Sequence, residues 1–304
     1  MLFELEDVTK TYGSVTALRG LTVSMPEGAI GLLGPNGAGK TTMIRTLLGL
    51  IRINHGRGHV LDRDIHRDRM SIRQCVGFVP EDECLFPGMI GVEFAAFAGE
   101  LCGMPTKDAM RRAHEVLDYV GLGEARYRKA DSYSTGMKQR LKLAAGIVHD
   151  PKLLVLDEPT NGMDPAGRVE ILELAVDLAH NKGMSLLFSS HLLPDVEAVC
   201  EHVMVLGRGR LLAQGRLEDL KKADAGRQII RLKEPNPAFE QRLIQNGCRV
   251  EPGGEDLLIT LAPSLGPEFL WRAAAETRAQ IRSLKPQRST LEDVFHQALA
   301  SDRD

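Results

Sequence analysis

The chain has 304 residues, 43% of them hydrophobic and 26% charged, with a formal net charge of −3. This apolar content supports a sizeable core, and the balanced charge excludes a global basic field of the kind that holds nucleic acid or an anionic membrane. No run approaches the ~20 apolar residues of a spanning helix, the start MLFELEDV lacks a signal-peptide pattern, and the five cysteines never form C-x-x-C, so a soluble cytosolic protein with reduced thiols is expected.

Phe3 and Leu5 alternate with acidic residues, and Leu21, Val23 and Met25 alternate with Thr22 and Ser24, the period of half-exposed strands forming an antiparallel layer. The stretches AIGLL (29–33), KLLVLDEP (152–159) and MSLLFSSH (184–191) are short continuous apolar runs, as expected for strands buried on both faces of a parallel sheet. Between 89 and 150 strand signals give way to helical ones. Ala109, Ala113, Val116, Leu117 and Val120 fall at helical spacing there, and the region reads as an inserted helical subdomain. A helix before Gly183 is expected to share a face through Val169, Leu172, Val176 and Ala179. Another over 193–202 carries Val196, Val199 and Cys200, followed by Val203, and two apolar runs flank Gly207-Arg208-Gly209.

The pattern closes near 217, and the charged stretch 218–227 reads as a linker. Residues 228–304 then restart it: a strand (228–233), a helix (237–246), two strands around Gly253 and Gly254, a helix (267–278), a strand (280–284) and a last helix opened by a Ser289-to-Glu292 capping box. The order βαββαβα is that of a ferredoxin-like α+β unit.

The strand 29–33 runs into Gly34, Pro35, Asn36, Gly37, Ala38, Gly39, Lys40, Thr41 and Thr42, which matches G-x-x-x-x-G-K-[ST]. Glycines let successive backbone N–H groups turn inward, the following helix adds its positive end, Lys40 reaches the β- and γ-phosphates, and Thr41 offers a hydroxyl to Mg²⁺. The strand LLVL ends in Asp157 and Glu158, at the edge of an open α/β sheet where ligands bind. Asp157 suits a Mg²⁺ anchor and Glu158 the orientation of an attacking water; a helix N-cap is the bland alternative for the pair.

Upstream of that strand, Tyr133-Ser134-Thr135-Gly136-Met137 stands where the chain resembles the ATP-binding subunits of ABC transporters, whose signature usually reads Leu-Ser-Gly-Gly-Gln. The resemblance covers residues 2–217 in motif order. It implies a P-loop ABC ATPase core, with a mixed, mainly parallel sheet, an antiparallel β layer and the helical insert, in a doubly layered α/β class. It further implies that Tyr12 stacks on adenine, that His191 contacts the γ-phosphate, and that Gly162-Met163-Asp164 links two sites across a dimer. Ser134 and Gly136 would touch the ATP of the opposite subunit. Where the family commonly has Gln beside Mg²⁺ and the attacking water, this chain has Glu81, in a Gly-Phe-Val-Pro-Glu context similar to ABC-2-type exporter subunits.

The implied function is a Mg-ATP-hydrolysing subunit that dimerises on ATP and drives a separate membrane permease, as an exporter, from the cytoplasmic face of the membrane. The permease would be held through 85–97, where Leu85, Phe86, Met89, Ile90, Phe94 and Phe97 look exposed; the core of the helical subdomain is the other use for them. A second nucleotide-binding subunit is the other expected partner, and no nucleic acid is expected. The rival readings are a soluble ATP-driven clamp on ribosomes or DNA and a non-hydrolysing nucleotide-gated module.

Overall fold

The computed structural model describes residues 1–222, 227–286 and 290–301. It divides into two compact units, Met1–Leu217 together with the chain from Phe295, and Glu218–Val294.

The first unit opens with β1 (Phe3–Tyr12) and β2 (Val15–Met25), then β3 (Ala29–Leu33), which passes through residues 34–39 into α1 (Lys40–Leu47). β4 (His55–Val60), β5 (Arg63–Asp64), α2 (Arg69–Cys75) and β6 (Val76–Val79) follow. The helical insert contains α3 (Gly91–Leu101), α4 (Thr106–Tyr119) and α5 (Thr135–Ile147), with two short 3₁₀ turns between the last two. The chain returns through β7 (Leu153–Asp157), α6 (Pro165–His180), β8 (Ser185–Ser189), α7 (Leu193–Val199), β9 (His202–Gly207), β10 (Arg210–Arg216) and α8 (Leu217–Lys222).

Two sheets form from these strands. The antiparallel one has the order β2-β1-β4-β5, with Phe3 opposite Met25 and Leu5 opposite Val23, so the alternating apolar residues all face the core. The other has the order β10-β9-β3-β8-β7-β6, parallel except for β10. Every residue of β3, β7 and β8 is buried, which accounts for their unbroken apolar runs. Register brings their ends level: Leu32 pairs with Ser189, and Asp157 with Ser189 from the other side. The segments leaving β3, β7 and β8 therefore emerge together at one carboxyl edge. The β9–β10 hairpin turns on Arg208 (φ 43°) and Gly209 (φ 80°), both left-handed, the conformation a tight hairpin with the native twist requires.

Two expectations change here. The helix expected over 193–202 ends at Val199, and Val203 faces the core from β9 instead. On α6 the buried stripe is Ile171, Ala175 and Leu178, while Val169 is 53% exposed. That helix is apolar on both sides, so periodicity alone does not select a face. On α4, by contrast, Ala109, Ala113, Val116 and Leu117 are all buried, as their spacing demands.

The second unit is a four-stranded antiparallel sheet of β11 (Arg227–Leu232), β12 (Arg249–Gly253), β13 (Asp256–Thr260) and β14 (Ile281–Pro286), with α9 (Pro237–Gln245) and α10 (Glu268–Thr277). Its order, β12-β13-β11-β14, is the ferredoxin-like one. Ile230, Phe239, Leu243, Ile259 and Leu270 form its own core, each burial contributing about 2 kcal/mol. Of the expected linker 218–227, Leu217–Lys222 is helix and Arg227 begins a strand, while 223–226 lie outside the described residues. Helix α11 (Leu291–Ser301) starts with Thr290 and Asp293: Thr290 N–H donates to Asp293 Oδ2 at 2.8 Å, and Asp293 N–H to Thr290 Oγ1 at 3.2 Å. Thr290 and Asp293 thus cap the helix start, and Ser289 of the expected Ser289–Glu292 box lies outside the described residues.

Candidate active site

At the carboxyl edge of the mainly parallel sheet lies a cleft of about 590 Å³, a nucleotide-sized volume. Pro35, Asn36, Gly37, Ala38, Gly39, Lys40, Thr41 and Thr42 form one wall, Asp157, Glu158 and His191 another, and Glu81 and Asn161 a third. Residues expected from four separate stretches are thus brought to one cavity. Gly34 stands just before it, closing the turn.

The loop before α1 has its shape because of its glycines. Gly39 has φ 104°, and a Cβ there would lie 2.7 Å from the Ala17 carbonyl oxygen; at Gly34 a Cβ would lie 2.6 Å from that of Leu206. Only glycine fits these positions without displacing backbone. α1 then begins with no acidic residue in its first turn, which leaves its positive end free to attract an anion. Lys40 is buried, donates from Nζ to the Gly34 carbonyl at 2.7 Å and lies 3.8 Å from Glu158 Oε1.

Glu158 is the most constrained group of the site. It is buried, its φ is 49°, and its N–H donates to the Ser189 carbonyl at 2.9 Å, which ties it to the end of β8. Its Oε2 lies 2.7 Å from His191 Nδ1 and accepts the His191 backbone N–H at 3.3 Å. A left-handed glutamate persists only where surrounding structure over-determines it, and such strain concentrates at functional sites. Next to it, burial pushes the Asp157 carboxyl up from its ordinary value; Ser189 and Lys40 oppose the shift, and Glu158 and Glu81 add to it. The Ser189 hydroxyl is near enough to favour the ionised carboxylate, yet it is buried without a hydrogen bond of good geometry to any described group.

Three carboxylates thus converge on the cleft beside one lysine and an orphaned hydroxyl, a surplus of negative charge and acceptors that a divalent cation offsets. Among the described residues no group of three or more His, Cys, Asp or Glu forms a metal cage. The donor set is that of Mg²⁺, which keeps waters and binds through one or two carboxylates plus substrate phosphates. Asp157, the Thr41 hydroxyl and Glu81 are the residues that would hold it.

Glu81 sits on an exposed loop, and its Oε1 accepts from Asn161 Nδ2 at 3.0 Å. Asn161, which the sequence did not single out, in turn donates its N–H to the Glu158 carbonyl at 3.2 Å. The cleft's remaining wall is Val15, Thr16 and Ala17, also not singled out. Tyr12 is not part of that wall. It is 43% exposed, pairs with Val15 across the β1–β2 hairpin, and carries Lys10 Nζ 4.7 Å above its ring.

Ser134 and Gly136 lie outside the cleft as well. Ser134 caps α5, its hydroxyl accepting from the Met137 N–H at 3.3 Å, and a Cβ at Gly136 would meet only Met163, at 3.6 Å. The segment holding Met163 is braced from beneath: the fully buried Asp195 accepts from Thr160 Oγ1 at 2.6 Å and from Arg168 Nε at 2.7 Å.

A second cavity, about 650 Å³ and mainly apolar, opens between the helical insert and the sheet. Leu50, Met70 and Leu101, exposed by 49%, 65% and 71%, line it with Phe78 and Phe94. Of the segment expected to be exposed, Phe86 is, whereas Phe94 is 6% exposed and belongs to the core of the insert.

Residues 18–161 match the family model described as "ABC transporter". The chain is 37% identical over 232 residues to the linearmycin resistance ATP-binding protein LnrL of Bacillus subtilis, covering 76% of this chain and 74% of that protein. It is 32% identical over 299 residues to the bacitracin transport ATP-binding protein BcrA of Bacillus licheniformis, covering 97% and 96%. A solved structure described as the ATP-binding subunit of an ABC transporter aligns with a TM-score of 0.65 at 26% identity, covering 73% of this chain and 92% of that one. With the phosphate loop, the carboxylate edge and His191 assembled in one cleft, these likenesses settle the family: the chain belongs to the ABC transporters, as an ATP-binding subunit that hydrolyses ATP.

Proposed function

We propose that the protein is the Mg-ATP-driven subunit of an exporter, working at the cytoplasmic face of a membrane as a dimer that closes on ATP and moves a separate permease. The observation that carries the dimer is the separation of Ser134 and Gly136 from a cleft that holds residues 35–42, Glu81, Asp157, Glu158 and His191. A second copy, presenting its α5 start across the cleft, supplies what one copy lacks.

In this reading the amides of residues 36–41 and the α1 terminus bind the phosphates. Lys40 moves from the Gly34 carbonyl and Glu158 to the β- and γ-phosphates, releasing the Glu158 carboxylate. Thr41, Asp157 and Glu81 would hold Mg²⁺, which would supply positive charge beside the phosphate oxygens. Glu158 orients the attacking water and polarises it, while His191, already bonded to Glu158, positions that carboxylate and senses the γ-phosphate. Hydrolysis removes the charge-assisted contacts closing the dimer.

The apolar groove beside α3 is the seat for a short helix of the permease, with Leu50, Met70 and Leu101 as anchors. The names of LnrL and BcrA, a resistance protein and a transport protein, support the export reading. Among the described residues no helix is long and apolar enough to cross a membrane, so a separate spanning partner is part of the proposal.

The test uses Glu158→Gln to hold the ATP-bound state in cells, followed by detergent extraction and identification of what co-purifies. A polytopic membrane protein lost on Leu101→Glu or Met70→Glu, both exposed positions whose change spares the core, is the expected result. Ribosomes or DNA recovered without membrane protein would replace this reading by a soluble clamp.

A further inference from the structure

The helix that starts at Ser134 carries a lysine whose place in the fold no motif explains. Lys142, two turns into α5, is 6% exposed, and its ammonium donates to three main-chain carbonyls of a single loop: Pro80 at 2.6 Å, Glu81 at 3.2 Å and Asp82 at 3.2 Å. One turn earlier on the same helix face, Lys138 reaches Glu83 Oε1 of that loop at 2.7 Å. Burial pulls the Lys142 ammonium below the ordinary lysine value, opposed by Cys84, Asp82, Glu83 and Glu81 around it.

Burying an ammonium is unfavourable unless its hydrogen bonds are satisfied, and here the acceptors that satisfy it are the backbone of the segment presenting Glu81. Residues 81–84 of that loop are exposed. Glu81 in turn bonds Asn161, and Asn161 the Glu158 carbonyl. A continuous set of contacts thus runs from α5 through the loop to the carboxylate edge of the cleft. Lys142 and Pro80 also line the apolar groove, so the same side chain touches both cavities' walls or their supports.

We propose that Lys142 is a positioning residue for ATP turnover: its three-carbonyl grip locks the Glu81 loop to α5, so that Glu81 and the Ser134 helix start move as one piece. The proposal rests on Glu81 acting at the cleft, as described above. It assigns Lys142 no contact with nucleotide. Its loss therefore lowers turnover through Glu81 while leaving ATP binding, which the phosphate loop supplies, intact.

The experiment measures Mg-ATP hydrolysis by the full chain for Lys142→Met, Lys142→Arg, Glu81→Ala and the Lys142→Met/Glu81→Ala pair, with amide exchange of residues 81–83 followed in parallel. Methionine fills the space of the lysine stem, and a thermal melt checks folding; Lys142→Gln gives the same reading if the methionine chain does not fold. Lys142→Met is expected to lower kcat about tenfold with KM within twofold, to speed exchange at 81–83, and to cause no further loss in the Glu81→Ala background. Lys142→Arg, which keeps the donors, is expected to restore most of the rate. Wild-type turnover in Lys142→Met, or a loss that multiplies with that of Glu81→Ala, overturns the positioning role while leaving Glu81 in place. Wild-type turnover in Glu81→Ala overturns the role of Glu81 itself, and the Lys142 proposal with it.

Discussion

His191 Nδ1 and Glu158 Oε2 lie 2.7 Å apart, joining the end of β8 to the end of β7 across the floor of the cleft. The His191 N–H adds a second bond to the same oxygen, so backbone and ring both orient one carboxylate. An alanine at 191 keeps the backbone bond and loses the one from the ring. His191→Ala is expected to lower kcat by about 10–100-fold with a KM for ATP changed less than threefold, the loss typical of removing an orienting partner. Steady-state kinetics separate this from a binding defect, which would raise KM at constant kcat.

The phosphate loop depends on Gly39 more strictly than on any side chain in it. With φ at 104° and the Ala17 carbonyl 2.7 Å from a would-be Cβ, Gly39→Ala carries both conformational strain and a backbone clash. A cost of about 1–3 kcal/mol is expected, concentrated where ATP binds. Thermal melts with and without Mg-ATP check it: the variant is expected to melt lower and to gain little from nucleotide.

Asp157 links stability to function with opposite signs. Burial raises its folded-state pKa, so the folded chain holds its proton more tightly than the unfolded one. The penalty for the ionised form is fully present above the raised value and vanishes below the unfolded one. Asp157→Asn is therefore expected to melt higher than wild type at neutral pH without nucleotide, with the gap closing as pH falls through the carboxylate range. Mg-dependent hydrolysis by the same variant is expected to fall at least tenfold. Equal melting temperatures at neutral pH would contradict the assignment of burial as the cause.

Away from the chemistry, the Asp195 brace sets the position of residues 160–168. Arg168→Ala leaves a carboxylate of 1% side-chain exposure with only Thr160 as its side-chain partner among the described residues. The expected cost is about 3 kcal/mol in urea denaturation, at the low end for breaking a buried pair because Arg168 itself reaches solvent. Arg168→Lys is expected to recover part of it.

Much of this site could be read from residues alone because strand ends do the positioning. Unbroken apolar runs at 29–33, 153–157 and 185–189 identify strands buried on both faces, and whatever follows them must share one edge of the sheet. That argument placed Asp157 and Glu158 at the edge, the G-x-x-x-x-G-K-[ST] spacing singled out Lys40, and His191 was expected only through the resemblance to ABC transporter subunits. Local pattern fails for groups whose role comes from packing between distant elements. Leu50, Met70 and Leu101 form one groove from three separate helices or their ends, and nothing local marks them as neighbours. Phe94 looked exposed because an apolar run cannot say which of its members turn inward, and α6 misled for the same reason. Asn161 and Lys142 carry no motif; only their bonds to the Glu81 loop reveal them. In the second unit, alternation and turns marked the described strands and helices to within a few residues.

The central claim is that one chain holds an incomplete ATP site which a second chain completes through Ser134. Light scattering of the purified Glu158→Gln protein, with and without Mg-ATP, tests it most directly. The expected result is a monomer without nucleotide, a dimer with Mg-ATP, and a monomer in both conditions once Ser134→Arg is added. A chain that stays monomeric with bound Mg-ATP, or a dimer indifferent to Ser134→Arg, would contradict the claim.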